Sequence, residues 1–186
     1  MSAVPDLAGR LRDLLRERSI VHGDFTLASG RHATFYIDAR RTTTAGEGLA
    51  VVGALGLARL DARGWTPALV GGLTLGADPV AYAIAAAAWA QGRRLDAFTV
   101  RKQPKAHGTG QRIEGCFAPG ATTVVVEDVI TTGQSATEAI AAVVAAGGRV
   151  LGVLAVVDRE EGGRAALERA GHAVEVLVTA TELGLR

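Results

Sequence analysis

One cysteine, one methionine and five prolines stand among the 186 residues of the chain. With Cys116 alone, no disulfide can close within the chain, which fits a reducing compartment. Cys116 itself reads as a small buried or half-buried side chain rather than a catalytic group. The single cysteine and four histidines give no cluster for a tightly held transition metal. Neither sign of charge is in excess: 20 Lys and Arg face 19 Asp and Glu, leaving a net charge of +1. That balance argues against a nucleic-acid partner, and there is no acidic tail. Apolar runs are short. The longest, residues 80–90, cannot span a bilayer and stops at Gln91-Gly92-Arg93-Arg94, which argues against a membrane partner. The first residues lack the basic and then apolar pattern of a secretory signal, so the expected location is the cytoplasm.

What is present is a globular composition, 48% hydrophobic and 21% charged, at a length that suits one domain. Leu7, Leu11, Leu14 and Leu15 recur at helical spacing and predict a helix ending near Ser19. Extended runs at 25–27 and 34–37, split by Ser29-Gly30-Arg31, predict a small hairpin-like piece. Thr44 and Glu47 form a capping-box pattern, predicting a helix from there to about Leu60. From residue 66 a new rhythm begins. Strand-like runs at 68–70, 97–100, 122–126, 150–157 and 174–178 alternate with helical patterns at 79–90, 135–146 and 164–170. Strands that are apolar throughout, with helices between them, predict an α/β fold with a parallel central sheet flanked by helices. Residues 1 to about 45 form a smaller piece beside it. Residues 101–119 break the rhythm and read as a long loop, of the kind that is usually functional or disordered.

The chemistry concentrates after the run at 123–126. This run ends in adjacent acids, Glu127 and Asp128, followed by Val129, Ile130, Thr131, Thr132, Gly133, Gln134 and Ser135, and then a helix. Ligands of open parallel sheets bind at strand ends. Two carboxylates there can accept hydrogen bonds from vicinal hydroxyls or meet a metal ion through water. The small hydroxyl-rich loop offers backbone N–H groups, Gly133 permits close approach, and the following helix N-terminus favours a phosphate. Together these describe a ribose 5-phosphate site. A second constellation, Arg101, Lys102, Lys105 and His107 between glycines, suits a loop that closes over a polyanion. Phe35 and Tyr36 could stack on a flat base, or simply pack in the core. His22, His32 and His172 read as surface or packing residues.

The segment 124–135 resembles the signature of the type I phosphoribosyltransferases, which use phosphoribosyl diphosphate (PRPP). The resemblance implies that Glu127 and Asp128 hold the ribose hydroxyls and that residues 129–135 hold the 5-phosphate. The basic loop, with Ile113-Glu114-Gly115 after it, is similar to the flexible loop of the orotate phosphoribosyltransferases. That likeness implies diphosphate contacts from Arg101, Lys105 and His107, with Lys102 acting from the other subunit of a homodimer with shared sites. It also implies catalytic roles for Lys102, Lys105, His107 and Asp128. The segment 25–38 resembles the hood that covers the pyrimidine in these enzymes, and Gly71 to Pro79 resembles their diphosphate loop. Val156-Val157-Asp158-Arg159-Glu160 resembles the strand end whose arginine pairs with the orotate carboxylate. An orotate site of Phe35, Tyr36, Thr131 and Arg159 is thereby implied. So is Mg²⁺ carried by PRPP with no direct protein ligand. The expected unit is one phosphoribosyltransferase domain over 1–186, with 1–45 giving a helix and the hood. Some relatives carry lysines where this chain has Ala28 and Leu73 or Thr74. A purine phosphoribosyltransferase and a PRPP-sensing regulator are the alternatives; the hood and Arg159 speak against the first. The lack of an added helix-turn-helix speaks against the second.

Overall fold

Strand-like runs rich in Val, Leu and Ala, at 68–70, 122–126 and 150–157 above all, require cover on two sides, and the fold supplies it. The computed structural model describes residues 6–26, 32–103 and 112–186. Its main sheet has six strands in the order β5-β4-β3-β6-β7-β8. They are β3 (Leu69–Leu73), β4 (Asp96–Val100), β5 (Ile113–Gly115), β6 (Thr122–Ile130), β7 (Arg149–Asp158) and β8 (Val174–Thr179). All neighbours are parallel except β5, which runs antiparallel on the edge beside β4.

Side chains alternate between two cores, as the pleat demands. Val124, Val126, Leu154 and Val156 face one core, shared with α1 (Leu7–Arg18), α3 (Gly46–Ala62) and α4 (Ala77–Ala90). Val125, Val153 and Ala155 face the other, shared with α5 (Gln134–Ala145) and α6 (Gly163–Arg169). Each fully buried Val or Leu here contributes about 1.5–3 kcal/mol. Helices α3 and α4 pack backbone to backbone: a Cβ on Gly53 would overlap the Ala83 carbonyl.

A two-stranded antiparallel sheet, β1 (Ile20–Thr26) and β2 (His32–Ile37), stands beside the main one. Its base is fixed to the core by buried groups. Ser19 and Thr42 share a hydroxyl hydrogen bond of 2.7 Å, and Thr42 donates to the Leu14 carbonyl at 3.2 Å. The strand β1 begins at Ile20, well before the expected run at 25–27, because pairing with β2 recruits Val21 and His22 despite Gly23 and Asp24. The register slips between His22 and Phe25, which absorbs those two residues.

Three local expectations are corrected. The capping box at Thr44 does not form, because a short helix, α2 (Arg40–Thr43), precedes it. The Thr44 hydroxyl donates to the Arg40 carbonyl at 2.6 Å, Ala45 starts α3 without a side-chain cap, and Glu47 pairs with Arg10. Cys116 is exposed rather than buried, since it follows the edge strand β5. Strand β6 continues through the two acids to Ile130, because β7 is long enough to pair with it as far as Asp158. No helix among the described residues is long and apolar enough to cross a membrane.

Candidate active site

Strand order decides where a site can form. From β3 the chain crosses one face through α4 to β4, and from β6 it crosses the other face through α5 to β7. Where neighbouring strands send their connections to opposite faces, a crevice opens at their carboxyl ends. A cleft of about 350 Å³ lies there. Residues from both strand ends line it: Leu73, Thr74, Leu75 and Gly76 after β3, and Glu127, Asp128, Val129, Thr131 and Ser135 on and after β6. Tyr36, Asp38 and Arg40 reach it from the small sheet side, Lys102 from β4, and Arg159 from β7.

The two acids differ sharply in environment. Glu127 is only 6% exposed. Burial, then the neighbouring Asp128 charge and a hydrogen bond with it, push the Glu127 carboxyl up to about 9. At neutral pH Glu127 is therefore a neutral acid beside the Asp128 carboxylate. Asp128 is half-buried and accepts the Val129 N–H at 3.0 Å. Its carboxylate lies against the Cα of Gly76, where any Cβ would overlap it.

The loop after β6 is built as an anion cradle. Gly133 has φ 81° and starts α5 with no side-chain cap of its own; the Gln134 N–H donates to the Thr132 hydroxyl at a long 3.4 Å, and a helix N-terminus of this kind favours an anion. The loop is braced from behind: the Gly163 N–H donates to the Thr131 carbonyl at 3.0 Å, and a Cβ on Gly163 would overlap that oxygen. On the other side of the cleft, the Thr74–Leu75 peptide is cis.

Arg159 is 6% exposed and held from three directions. Its N–H donates to the Ile130 carbonyl at 3.0 Å, its Nη2 meets Glu161 at 2.8 Å, and its guanidinium lies over the Phe35 ring. The turn beneath it is closed by Asp158, which accepts the Glu160 N–H at 2.7 Å. Arg159 Nε has no hydrogen-bond partner within the described structure.

The structure thus brings Tyr36, Lys102, Glu127, Asp128, Val129, Thr131, Ser135 and Arg159 to one cleft, with Phe35 behind Arg159. Thr132 and Gln134 are exposed on the loop, Gly133 is its buried hinge, and Ile130 belongs to the core. Arg101 lies beside the cleft rather than in it, pairing with Glu114 at 3.5 Å. Lys105 and His107 lie outside the described residues, as does Ala28. The loop roots are clasped, however. Arg101 N–H donates to the Arg112 carbonyl at 2.8 Å, and the Arg112 guanidinium donates back to the Arg101 and Lys102 carbonyls. The loop is therefore the connection of the β4–β5 hairpin. Sequence reasoning missed Asp38 and Arg40, which pair at 2.9 Å on the rim. A charged pair directly after the aromatic run was the available signal.

No family model matches the chain. Curated proteins do. An orotate phosphoribosyltransferase of Mycobacterium avium is 47% identical over 183 residues, covering 98% of this chain and 99% of that protein. Among solved structures, Mycobacterium tuberculosis orotate phosphoribosyltransferase in complex with Fe(III) dicitrate superposes with a TM-score of 0.85 at 47% identity, covering 97% of this chain and all of that one. The same enzyme in complex with PRPP gives a TM-score of 0.80 at 43% identity over the same share.

Proposed function

The chain belongs to the orotate phosphoribosyltransferases, and we propose that its cleft seats PRPP and orotate side by side through the residues described above. The enzyme is a pentosyltransferase of pyrimidine biosynthesis: it moves the ribose 5-phosphate group of PRPP to orotate, giving orotidine 5-phosphate and diphosphate. One observation carries the seating. The acids Glu127 and Asp128, the cradle at 131–135 and the buried Arg159 share a single cleft of about 350 Å³.

In the proposed arrangement the 5-phosphate takes the N–H groups of residues 131–135 at the start of α5. Asp128 accepts from the ribose hydroxyls, and neutral Glu127 can both donate and accept there. The orotate carboxylate meets Arg159, whose planar guanidinium suits it, while Phe35 and Tyr36 flank the ring and Thr131 touches base and phosphate sides alike. As the C1–oxygen bond to diphosphate breaks, positive charge builds on the sugar, and the base nitrogen takes the vacated bond. In this reading Asp128 stabilises that sugar charge, and Lys102, Lys105, His107 and Arg101 neutralise the departing diphosphate. Closure of the 101–112 connection excludes water that could otherwise hydrolyse PRPP.

Among the described residues no group of three or more His, Cys, Asp or Glu could enclose a metal ion. The donor set at hand is the Asp128 carboxylate beside a protonated Glu127, which fits a Mg²⁺ that keeps its waters and arrives on PRPP. Asp128 would meet that ion through its waters, and when bound it neutralises diphosphate charge.

The proposal further includes a cytoplasmic homodimer built from one phosphoribosyltransferase domain over 1–186. Self-association is supported by Leu75, Tyr82 and Trp89, which are 68%, 52% and 77% exposed. Tyr82 and Trp89, seven residues apart, lie along one side of α4, and Leu75 stands in the turn just before it, at the cleft.

The direct test is to mix protein, Mg²⁺, PRPP and orotate and follow loss of orotate absorbance. Turnover of adenine or hypoxanthine but not orotate would overturn the base assignment. PRPP binding without turnover of any base would replace the enzyme reading with a sensor.

A further inference from the structure

Asp78 stands in the first turn of α4, half-buried. It does not cap its own helix. Instead its two oxygens accept from two different segments. Oδ2 accepts the Thr74 hydroxyl at 2.7 Å, and Oδ1 accepts the Thr99 hydroxyl at 2.8 Å. Thr99 also shares a 3.0 Å hydrogen bond with the Tyr82 hydroxyl. Thr74 opens the Thr74-Leu75-Gly76 wall of the cleft. Thr99 is the penultimate residue of β4, three positions before Lys102, which lines the cleft on the same β3–β4 side. The backbone repeats the link, since the Thr74 N–H donates to the Val100 carbonyl at 2.8 Å.

A carboxylate near a site for a polyanion works against binding unless its charge is engaged. Here both oxygens are engaged, and both by hydroxyls that sit at the base of a cleft wall. A helix-dipole role would need only the negative charge and no particular hydroxyl partners. We infer that Asp78 is a positioning residue: through Thr74 and Thr99 it fixes the 74–76 turn to the end of β4 at residues 99–102, setting the place of the cleft wall that the diphosphate of PRPP meets. This rests on the proposed PRPP seating. Asp78 does not itself line the cleft, and Thr99 lines only an adjoining cavity that shares Thr74, Leu75 and Lys102 with it.

The test uses Asp78→Ala, Thr99→Val and Thr99→Ser in the full chain, with KM for PRPP, KM for orotate, kcat and melting temperature measured on each. Losing a hydrogen bond to a charged group corresponds to roughly a tenfold effect. Asp78→Ala and Thr99→Val should therefore raise KM for PRPP about tenfold, leaving KM for orotate near its wild-type value. Thr99→Ser, which keeps the hydroxyl, should stay near wild type. Should Asp78→Ala fold poorly, Thr99→Val, which keeps the carboxylate and its charge, carries the test. An unchanged KM for PRPP in Thr99→Val, or equal losses in both KM values together with a lower melting temperature, overturns the positioning role. A wild-type enzyme that neither binds nor turns over PRPP overturns the seating itself, and the inference with it. The two failures are thus told apart by the wild type.

Discussion

The Arg159 guanidinium carbon stands 5.2 Å from the centre of the Phe35 ring, joining the end of β7 to the small sheet. One Arg159 nitrogen is engaged by Glu161, and Nε is buried without a partner. A buried unpaired N–H is costly, and a planar carboxylate is the ligand that would satisfy it.

Arg159→Lys should therefore raise KM for orotate by about ten- to a hundredfold, since an ammonium cannot reproduce the fork or the stacking. Phe35→Leu keeps apolar bulk but loses the cation–π contact, worth about 2 kcal/mol when desolvated, and should raise KM for orotate by on the order of tenfold. Steady-state kinetics with orotate varied decide the matter. An orotate KM that ignores Arg159→Lys would remove Arg159 from the base site.

Glu127 should make stability depend on pH. Its folded-state value of about 9 lies well above the ordinary 4.5. Between those values the folded chain holds a proton that the unfolded chain has released. This contribution is full below about 4.5 and is lost as pH rises toward 9. One proton gives at most about 1.4 kcal/mol per pH unit, or about 3 °C in melting temperature for a chain of this size. Glu127→Gln should flatten that slope. Thermal melts of both proteins across pH 5 to about 9 would show it, and parallel curves would mean that Glu127 is ionised in the fold.

Gly133 and Gly163 meet behind the 131–135 loop. At φ 81°, a Cβ on Gly133 is strained by about 1–2 kcal/mol and would come 3.0 Å from the Gly163 carbonyl. Gly133→Ala should lower the melting temperature by several degrees and raise KM for PRPP more than KM for orotate. If neither parameter moved, the loop would be more forgiving than its packing implies.

Trp89, at 77% exposed, is the most open large apolar side chain among the described residues. If its face joins two copies, Trp89→Glu should shift sedimentation toward the monomer while the circular dichroism spectrum stays the same. Unchanged dimer in that variant would place the contact elsewhere.

Much of this arrangement was legible beforehand, for identifiable reasons. Strands β3, β6 and β7 are covered on both faces, so their Val-rich runs stand out against any helix. The cradle was legible because a strand, two acids, a small loop and a helix follow one another locally. What was not legible depends on distant partners. Strand β5 is only three residues long and exists because the 101–112 connection folds back onto β4. The extension of β6 to Ile130 needs Asp158 opposite it. The perturbed Glu127 is only partly readable from its neighbour Asp128, since its largest cause is burial under the whole fold. Likewise, Thr74 looked like the place of a missing lysine until Asp78 was seen to hold it.

Lys102 poses the sharpest question of assembly. It lines the cleft of its own chain, yet the family resemblance has it acting from the partner subunit. Lys102→Ala should lower turnover on the order of a hundredfold, as loss of a charge-stabilising donor does, while PRPP still binds. Asp128→Ala should be similarly inactive. In a homodimer with shared sites, mixing the two variants creates one site per mixed dimer with both residues intact. Random exchange then returns about a quarter of wild-type activity. If Lys102 acts within its own chain, every site of a mixed dimer lacks one of the two groups, and no activity returns. Subunit exchange, verified by a mass tag on one variant and followed by the orotate absorbance assay, separates the two arrangements. Verified mixed dimers without recovered activity would assign Lys102 to its own chain.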